Sequence, residues 1–327
     1  MKNFVAGENE NGVRLSRFVE SVTRELPRSL LYKSFRNKRV KVNGKRAEAD
    51  YRLSAGDVIE LYINDEFFPA DASAVPAAKP PRRQPAVTAV YEDANMAVLY
   101  KPVHLLCHSD RTGDPNLVDA FTAQLEARGE YDPHAENRFS PAICNRLDRG
   151  TEGLVLAAKS YAALRDLNAI IREDLMKKEY LTITVGAPPA GRQIAWLQHS
   201  ESANKVRIHA RESAGCKQII TDVTVIRQSG PFALCRIGLV TGRTHQIRAH
   251  LAYLGHPVIG DLKYGNSKMN ARTGLKTQAL CAQRLTFGRI PPENTLSYLS
   301  GKVIKLDDPA ILHQFDALTA DFSAGPA

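Results

Sequence analysis

One carboxylate, Asp148, stands between two arginines in the stretch Cys144-Asn145-Arg146-Leu147-Asp148-Arg149-Gly150-Thr151-Glu152-Gly153-Leu154-Val155-Leu156. A carboxylate flanked by guanidinium groups is held ionised, which suits a nucleophile or an orienting group better than a general acid. The same residues equally describe a loop aspartate in an ordinary ion pair, and structural ion pairs far outnumber catalytic ones. A second dense segment is Leu239-Val240-Thr241-Gly242-Arg243-Thr244-His245-Gln246-Ile247-Arg248-Ala249-His250-Leu251. Here Arg248 falls beside the apolar stripe of a predicted helix, where a guanidinium needs a carboxylate partner. A core-edge salt bridge without chemistry would satisfy that need as well. His245 and His250 are five residues apart and do not stack on one helical face, and the Glu of a metalloprotease helix is missing, so no metal site is expected. Tyr180, in Lys178-Glu179-Tyr180-Leu181, reads by itself as a strand aromatic.

Elements must hold these groups in place. Glycines mark a turn after Asp148, and the apolar run Leu154 to Ala158 then reads as a buried strand. Thr244 is the expected N-cap of the second segment. Ile247, Leu251 and Leu254 make its apolar stripe, and Gly255 and Pro257 its stop. Ser160 to Met176 reads as a helix with Leu164, Leu167, Ile171 and Leu175 on one buried face. Met96–Lys101, Leu181–Val185, Ile219–Ile226 and Ala233–Val240 read as strands. Mixed strands with intercalated helices imply an α+β domain over residues 86–310.

Ahead of it, residues 1–63 read as a separate small unit. Ser16 to Glu25 is an expected helix, Ser29 an expected cap of a second, and Arg39-Val40-Lys41-Val42-Asn43-Gly44-Lys45-Arg46 a hairpin. Asp57 to Ile63 is the expected closing strand. Between Arg14 and Arg52 twelve basic residues, Arg17, Arg36, Lys38, Arg39 and Lys41 among them, face only four acidic ones. Basic residues gathered on such a unit can track a phosphate backbone. Residues 64–85 hold five prolines among alanines and read as an extended linker. Residues 311–327 are set apart as a tail, since nothing after Asp308 carries a signal.

The 327 residues carry a formal net charge of +9, which favours a polyanionic partner, most often nucleic acid. No run of 18 apolar residues offers a membrane span, and the first eight residues lack the apolar core of a signal peptide. The five cysteines form no Cys-x-x-Cys pair, which fits a reducing cytoplasm without a zinc site or disulfide framework. Neither a Gly-x-x-x-x-Gly-Lys-Ser/Thr loop nor a Gly-x-Gly-x-x-Gly fingerprint is present, so no nucleotide cofactor is expected.

The first segment resembles the active-site motif of the RluA-type pseudouridine synthases, His-Arg-Leu-Asp-Arg-x-Thr-Ser-Gly-Leu-Leu. The second resembles that family's Thr-Gly-Arg-Thr-His-Gln-Ile-Arg-x-His, and Gly255-His256-Pro257-Val258-Ile259-Gly260-Asp261 and Tyr264-Gly265 match too. Three positions depart from the family: Asn145 for His, Glu152 for Ser, and Cys281 for a common His. Residues 1–63 resemble the alpha-L RNA-binding fold, through Arg14-Leu15-Ser16-Arg17-Phe18, Lys38 to Gly44 and Leu53-Ser54-Ala55-Gly56-Asp57.

The resemblance implies an α+β enzyme with a mixed-sheet catalytic domain and an N-terminal helix-helix-hairpin RNA-binding domain. Such an enzyme isomerises uridine to pseudouridine in structured RNA, with large-subunit ribosomal RNA favoured. It implies Asp148 as nucleophile or base, Arg248 as its partner and Tyr180 at the flipped base. Arg146, Arg149, Arg243 and His245 would contact RNA near the site, and Arg17, Arg36, Lys38, Arg39 and Lys41 farther off. The reaction is redox-neutral and needs no metal, nucleotide or redox cofactor. A cytoplasmic monomer is expected. Competing readings are a transfer-RNA synthase, a non-catalytic RNA-binding or ribosome-assembly protein on the same fold, and a phosphate-handling hydrolase. The last would need a carboxylate cluster for a metal, which the sequence does not offer.

Overall fold

The structure is a computed structural model that describes residues 1–23, 26–68, 84–110, 112–133, 139–200 and 205–323. Its first element, β1 (Lys2–Val5), leads into helices α1 (Leu15–Val22) and α2 (Arg28–Arg36). Strands β2 (Val40–Val42), β3 (Lys45–Arg46) and β4 (Val58–Leu61) follow, and the four strands form a sheet in the order β1-β4-β2-β3. Leu15, Phe18, Val19 and Val22 recur at helical spacing and are all buried, which is why α1 lies on this sheet. The cap of α2 is Pro27, two residues before the expected Ser29, which sits inside the first turn. Asn43 (φ 51°) and Gly44 (φ 74°) both take positive φ, the turn that matches the twist of a two-residue hairpin.

The expected linker begins too early at residue 64. Phe68 is buried, stacks on Phe4 at 6.3 Å and belongs to the N-terminal core. Most of the remaining proline-alanine stretch, residues 69–83, lies outside the described residues. The N-terminal unit touches the larger one at Tyr161, whose amide donates to Asn9 Oδ1 at 2.9 Å and whose ring packs on the N-terminal core.

The larger unit runs β5 (Thr88–Glu92), β6 (Met96–Lys101), α3 (Leu117–Ala127), β7 (Ala142–Ile143), β8 (Glu152–Ala158) and α4 (Tyr161–Arg172). Next come β9 (Met176–Val185), β10 (Gly191–Ser200), β11 (Lys205–His209), β12 (Lys217–Ser229) and β13 (Phe232–Leu239). Then follow α5 (Gln246–Tyr253), α6 (Ser267–Thr273), β14 (Leu280–Phe287), β15 (Val303–Lys305) and α7 (Ala310–Ser323). Eleven strands form one mixed sheet, ordered β11-β10-β12-β13-β9-β14-β8-β6-β5, with β15 on β14 and β7 on β8. Among the described strands β14 and β8 pair in parallel and their neighbours antiparallel. The chain is therefore α+β, as expected.

Strand β8 explains why the segment after Asp148 is continuously apolar. Leu154, Leu156 and Ala158 enter the core under α4, while Val155 and Ala157 enter the core shared with α3 and α5. A strand covered on both faces reads as an unbroken hydrophobic run. Gly153, at φ 120°, lets β8 approach β14, because a Cβ there would fall 2.3 Å from the Ala282 carbonyl oxygen.

Helix α4 stops at Arg172, four residues before the expected Met176. Asp174 turns left-handed (φ 54°), the Leu175 amide donates back to the Ile170 carbonyl, and Met176 already opens β9. Its buried face is accordingly Ala163, Asp166, Leu167 and Ile170. The chain end that looked like a tail contains α7, whose Ile311, Phe315 and Leu318 are buried against Leu181, Ile183, Phe232 and Leu234 of the central strands.

Candidate active site

Asp148 lies in the loop between β7 and β8, and this loop is tied down on each side of it. The Cys107 thiol accepts the Leu147 amide at 3.3 Å and donates to the Leu147 carbonyl. The Thr151 amide donates to the Asp148 carbonyl at 2.9 Å. Lys101 is fully buried and donates to the carbonyls of Pro102, Leu105 and Arg149. Burial pushes its ammonium down to about 8, against the pull of the Cys107, Asp148 and Glu152 charges. Asn145 serves the same loop by accepting the Leu156 amide at 2.7 Å.

The guanidinium that pairs with Asp148 is neither of its sequence neighbours. Arg149 turns outward to Asp114 at 2.9 Å, and Arg146 is exposed. Arg248, one hundred positions on, donates from Nη1 to Asp148 Oδ2 at 2.7 Å. The expectation that flanking arginines hold the carboxylate is thus corrected: neighbours on a tight turn splay apart, whereas α5 aims one side chain into it. The other two nitrogens of Arg248 donate to Asp261, with Nε to Oδ2 at 2.7 Å and Nη2 to Oδ1 at 2.8 Å. Burial alone would lower the guanidinium pKa, but Asp261 first and Asp148 second outweigh it and raise it. Burial likewise opposes the charge on Asp261, and Arg248 with two backbone amides overrides it, so its carboxyl is held below the usual range.

Sequence reasoning missed Asp261. Its signal was the turn Gly260-Asp261-Leu262-Lys263-Tyr264-Gly265, in which the Asp261 side chain accepts the amides two and three residues on, at 2.8 and 3.1 Å. An aspartate folding a turn onto itself is common. That the same carboxylate also meets Arg248 is a tertiary fact.

Helix α5 starts one residue later than expected. Its cap is His245, in a left-handed conformation (φ 55°), not Thr244. That conformation puts Nδ1 of His245 3.0 Å from the Tyr264 hydroxyl and Nε2 3.9 Å from Asp148 Oδ2. Burial lowers the His245 pKa, only partly offset by the Asp148 charge, so the ring is neutral at neutral pH. The Gln246 carboxamide locks the start of the helix, accepting from Thr241 and Arg243 and donating to Ile220 and Thr221.

Asp148, Tyr180, Arg248, Arg146, Arg243 and His245 line one cavity that opens to solvent. Tyr180 is mid-strand in β9, paired with Ile237 and Ala282, and is buried. Burial, and then the Asp148 charge, push its phenol well above its ordinary value, so it stays protonated. Asp148 is the only carboxylate among the described residues that line it and is 29% exposed. Arg149 lines an outer cleft, which shares Arg146, Asp148, His245 and Arg248 with this cavity. Arg17, Arg36, Lys38 and Arg39 are exposed on the N-terminal unit, and the Lys41 ammonium sits 5.1 Å from the centre of the Tyr62 ring.

Two of the three departures are neighbours. Glu152 and Cys281 are partners across the parallel β8–β14 pair, the thiol bonds to the carboxylate, and the Tyr100 hydroxyl donates to it at 2.8 Å. Among the described residues no group of three or more His, Cys, Asp or Glu side chains is arranged to hold a metal ion. None of the described helices is long and apolar enough to cross a membrane.

His250, behind Arg248 on α5, is buried with Nδ1 3.0 Å from the Thr221 hydroxyl, and burial lowers its pKa to about 4. The unfolded chain therefore binds a proton near pH 6.5 that the folded chain refuses until about 4, and stability is lost as pH falls through that window. His250→Gln removes this titration. Between pH 7 and pH 4 the variant is expected to gain about 3 kcal/mol on the native chain, read from denaturant unfolding. A pH-independent difference would contradict the burial argument.

Comparison with known proteins returns one chemistry. The model of the family described as RNA pseudouridylate synthase matches residues 95–253. The ribosomal large subunit pseudouridine synthase C of Vibrio cholerae serotype O1 is 30% identical over 316 residues, covering 95% of this chain and 94% of that one. The protein of the same name from Escherichia coli K12 is 30% identical over 296 residues, covering 85% and 86%. Among solved structures, human RNA pseudouridylate synthase domain containing 4 matches with a TM-score of 0.55 at 22% identity, over 70% of this chain and 92% of that one, a likeness of fold.

Proposed function

The chain belongs to the RluA-type family of RNA pseudouridine synthases, and from that premise we propose that it isomerises uridines of large-subunit ribosomal RNA at Asp148. The observation that carries the site assignment is the cavity with a single carboxylate, Asp148, bonded at 2.7 Å to a buried arginine. The ribosomal target is taken from the names of the relatives, and the excess of positive charge supports a polyanionic substrate.

The isomerisation breaks the bond from uracil N1 to the ribose anomeric carbon and makes one from C5. The C5 proton is lost and N1 gains one, so no electrons are exchanged. A paired or stacked uracil hides that bond, so the nucleotide must be flipped into a pocket. Asp148 acts there as nucleophile or base. Arg248 keeps it aimed, as preorganised charge does without moving during the reaction. Tyr180 forms the apolar wall against which a base can stack, with its hydroxyl in the protonated state. Arg146, Arg243 and His245 at the rim take the RNA, and the basic N-terminal unit extends the contact.

The test is turnover by the purified chain on large-subunit ribosomal RNA and on transfer-RNA transcripts, scored as pseudouridine formed. Modification of the ribosomal transcript alone is expected, and modification of transfer RNA alone would overturn the target. Deleting residues 1–68 is expected to weaken binding and flatten its salt dependence while sparing the chemistry. Each lost phosphate contact reduces the log–log salt slope by about 0.9 in a duplex or about 0.7 in a single strand. An unchanged slope would remove the N-terminal unit from the RNA interface.

A further inference from the structure

We propose that Asp261 is a positioning residue for the isomerisation, fixing the Arg248 guanidinium so that Nη1 is aimed at Asp148. The inference rests on the assignment of Asp148 and Arg248 to the reaction. A guanidinium is a planar fork that prefers to grip a carboxylate with two edges at once. Two carboxylates compete for Arg248. Asp261 takes the two-edged grip at 2.7 and 2.8 Å, and Asp148 receives a single bond on Oδ2. The Asp148 carboxylate thus takes one bond from a guanidinium that is anchored elsewhere.

Asp261 can impose this choice because it cannot move. Its Oδ1 also accepts the amides of Lys263 and Tyr264. Its own carbonyl accepts the Asn270 carboxamide at 3.0 Å and the Gly265 amide at 2.9 Å, and Asn270 in turn accepts the Gly260 amide at 2.8 Å. The turn is closed so tightly that a Cβ on Gly265 would fall 2.0 Å from the Asp261 carbonyl oxygen. The Tyr264 ring closes the other side, its centre 5.4 Å from the guanidinium carbon. The Asp261 side chain is wholly buried and does not line the cavity of Asp148, so its influence passes through Arg248. Without it the guanidinium loses two of its three bonds and is free to turn away from Asp148 Oδ2.

The experiment compares the native chain, Asp261→Asn, Arg248→Gln and the double variant, by release of tritium from RNA labelled at uracil C5. Asp261→Asn is expected to lower kcat about 100-fold, the cost of misplacing a reacting group, while KM for RNA stays within a few-fold. In the Arg248→Gln background the same change is expected to leave kcat where it was, since residues acting through one another are not additive. Asp261→Ala is the second probe. A pocket open to solvent adjoins Asp261, and formate is expected to restore part of kcat through it. Native kcat in Asp261→Asn, or an equal loss in both backgrounds, overturns the inference. If Asp261→Asn does not fold, Asp261→Ala is read in its place, and native kcat there overturns the inference equally. Failure of the native chain to release tritium would instead overturn the functional reading.

Discussion

Asp148→Asn is expected to abolish pseudouridine formation and leave RNA affinity within a few-fold of the native chain. The substitution is isosteric, and an asparagine oxygen can still accept the Arg248 Nη1 bond. Arg248 also keeps its two bonds to Asp261, so the cavity wall stays in place. What disappears is the only carboxylate among the described residues that line the cavity. In the proposed interface RNA binding is spread over basic groups at the rim and on the N-terminal unit, none of which is altered. Tritium release from uracil C5 together with a filter-binding titration separates the two effects. Full turnover in the purified variant would remove Asp148 from the chemistry.

Arg248→Ala is expected to cost both turnover and stability. The side chain bridges a carboxylate that is 29% exposed and one with no exposure at all. Removing it leaves Asp261 charged in the interior with only its two backbone amides, and breaking a buried pair from one side costs about 3–5 kcal/mol. The loss is read as a lower denaturation midpoint alongside the lost activity. Because burial rather than reaction sets the stability term, it is expected without RNA present. An Arg248→Ala chain with native turnover would show that the 2.7 Å bond to Asp148 is structural only.

The parts of the site legible in the sequence are those written in contiguous residues. The two-sided burial of β8 appears as an unbroken apolar run, and the closeness of β8 and β14 as Gly153. The pairing of Asp148 with Arg248 was legible through family resemblance. Their spacing of one hundred residues says nothing by itself, and the nearer arginines pointed to the wrong partner. Asp261 was hidden because its local job, folding a turn, accounts fully for its presence there. The His245 cap was hidden because a left-handed histidine is chosen by its contacts to Tyr264 and Asp148, not by capping preference. Helix α7 carries Ile311, Phe315, Leu318 and Phe322 at helical spacing, a stripe that polar neighbours and the chain end disguised. Phe68 fell into an apparent linker because only the folded N-terminal sheet brings Phe4 beside it.

The central claim, that this chain converts uridines of large-subunit ribosomal RNA through Asp148, is tested most directly by mapping pseudouridines in the RNA of cells lacking it. The account predicts that specific positions in large-subunit ribosomal RNA revert to uridine. It predicts that the native chain restores them and the Asp148→Asn chain does not. An unchanged map of that RNA, or restoration by the Asp148→Asn chain, would contradict it.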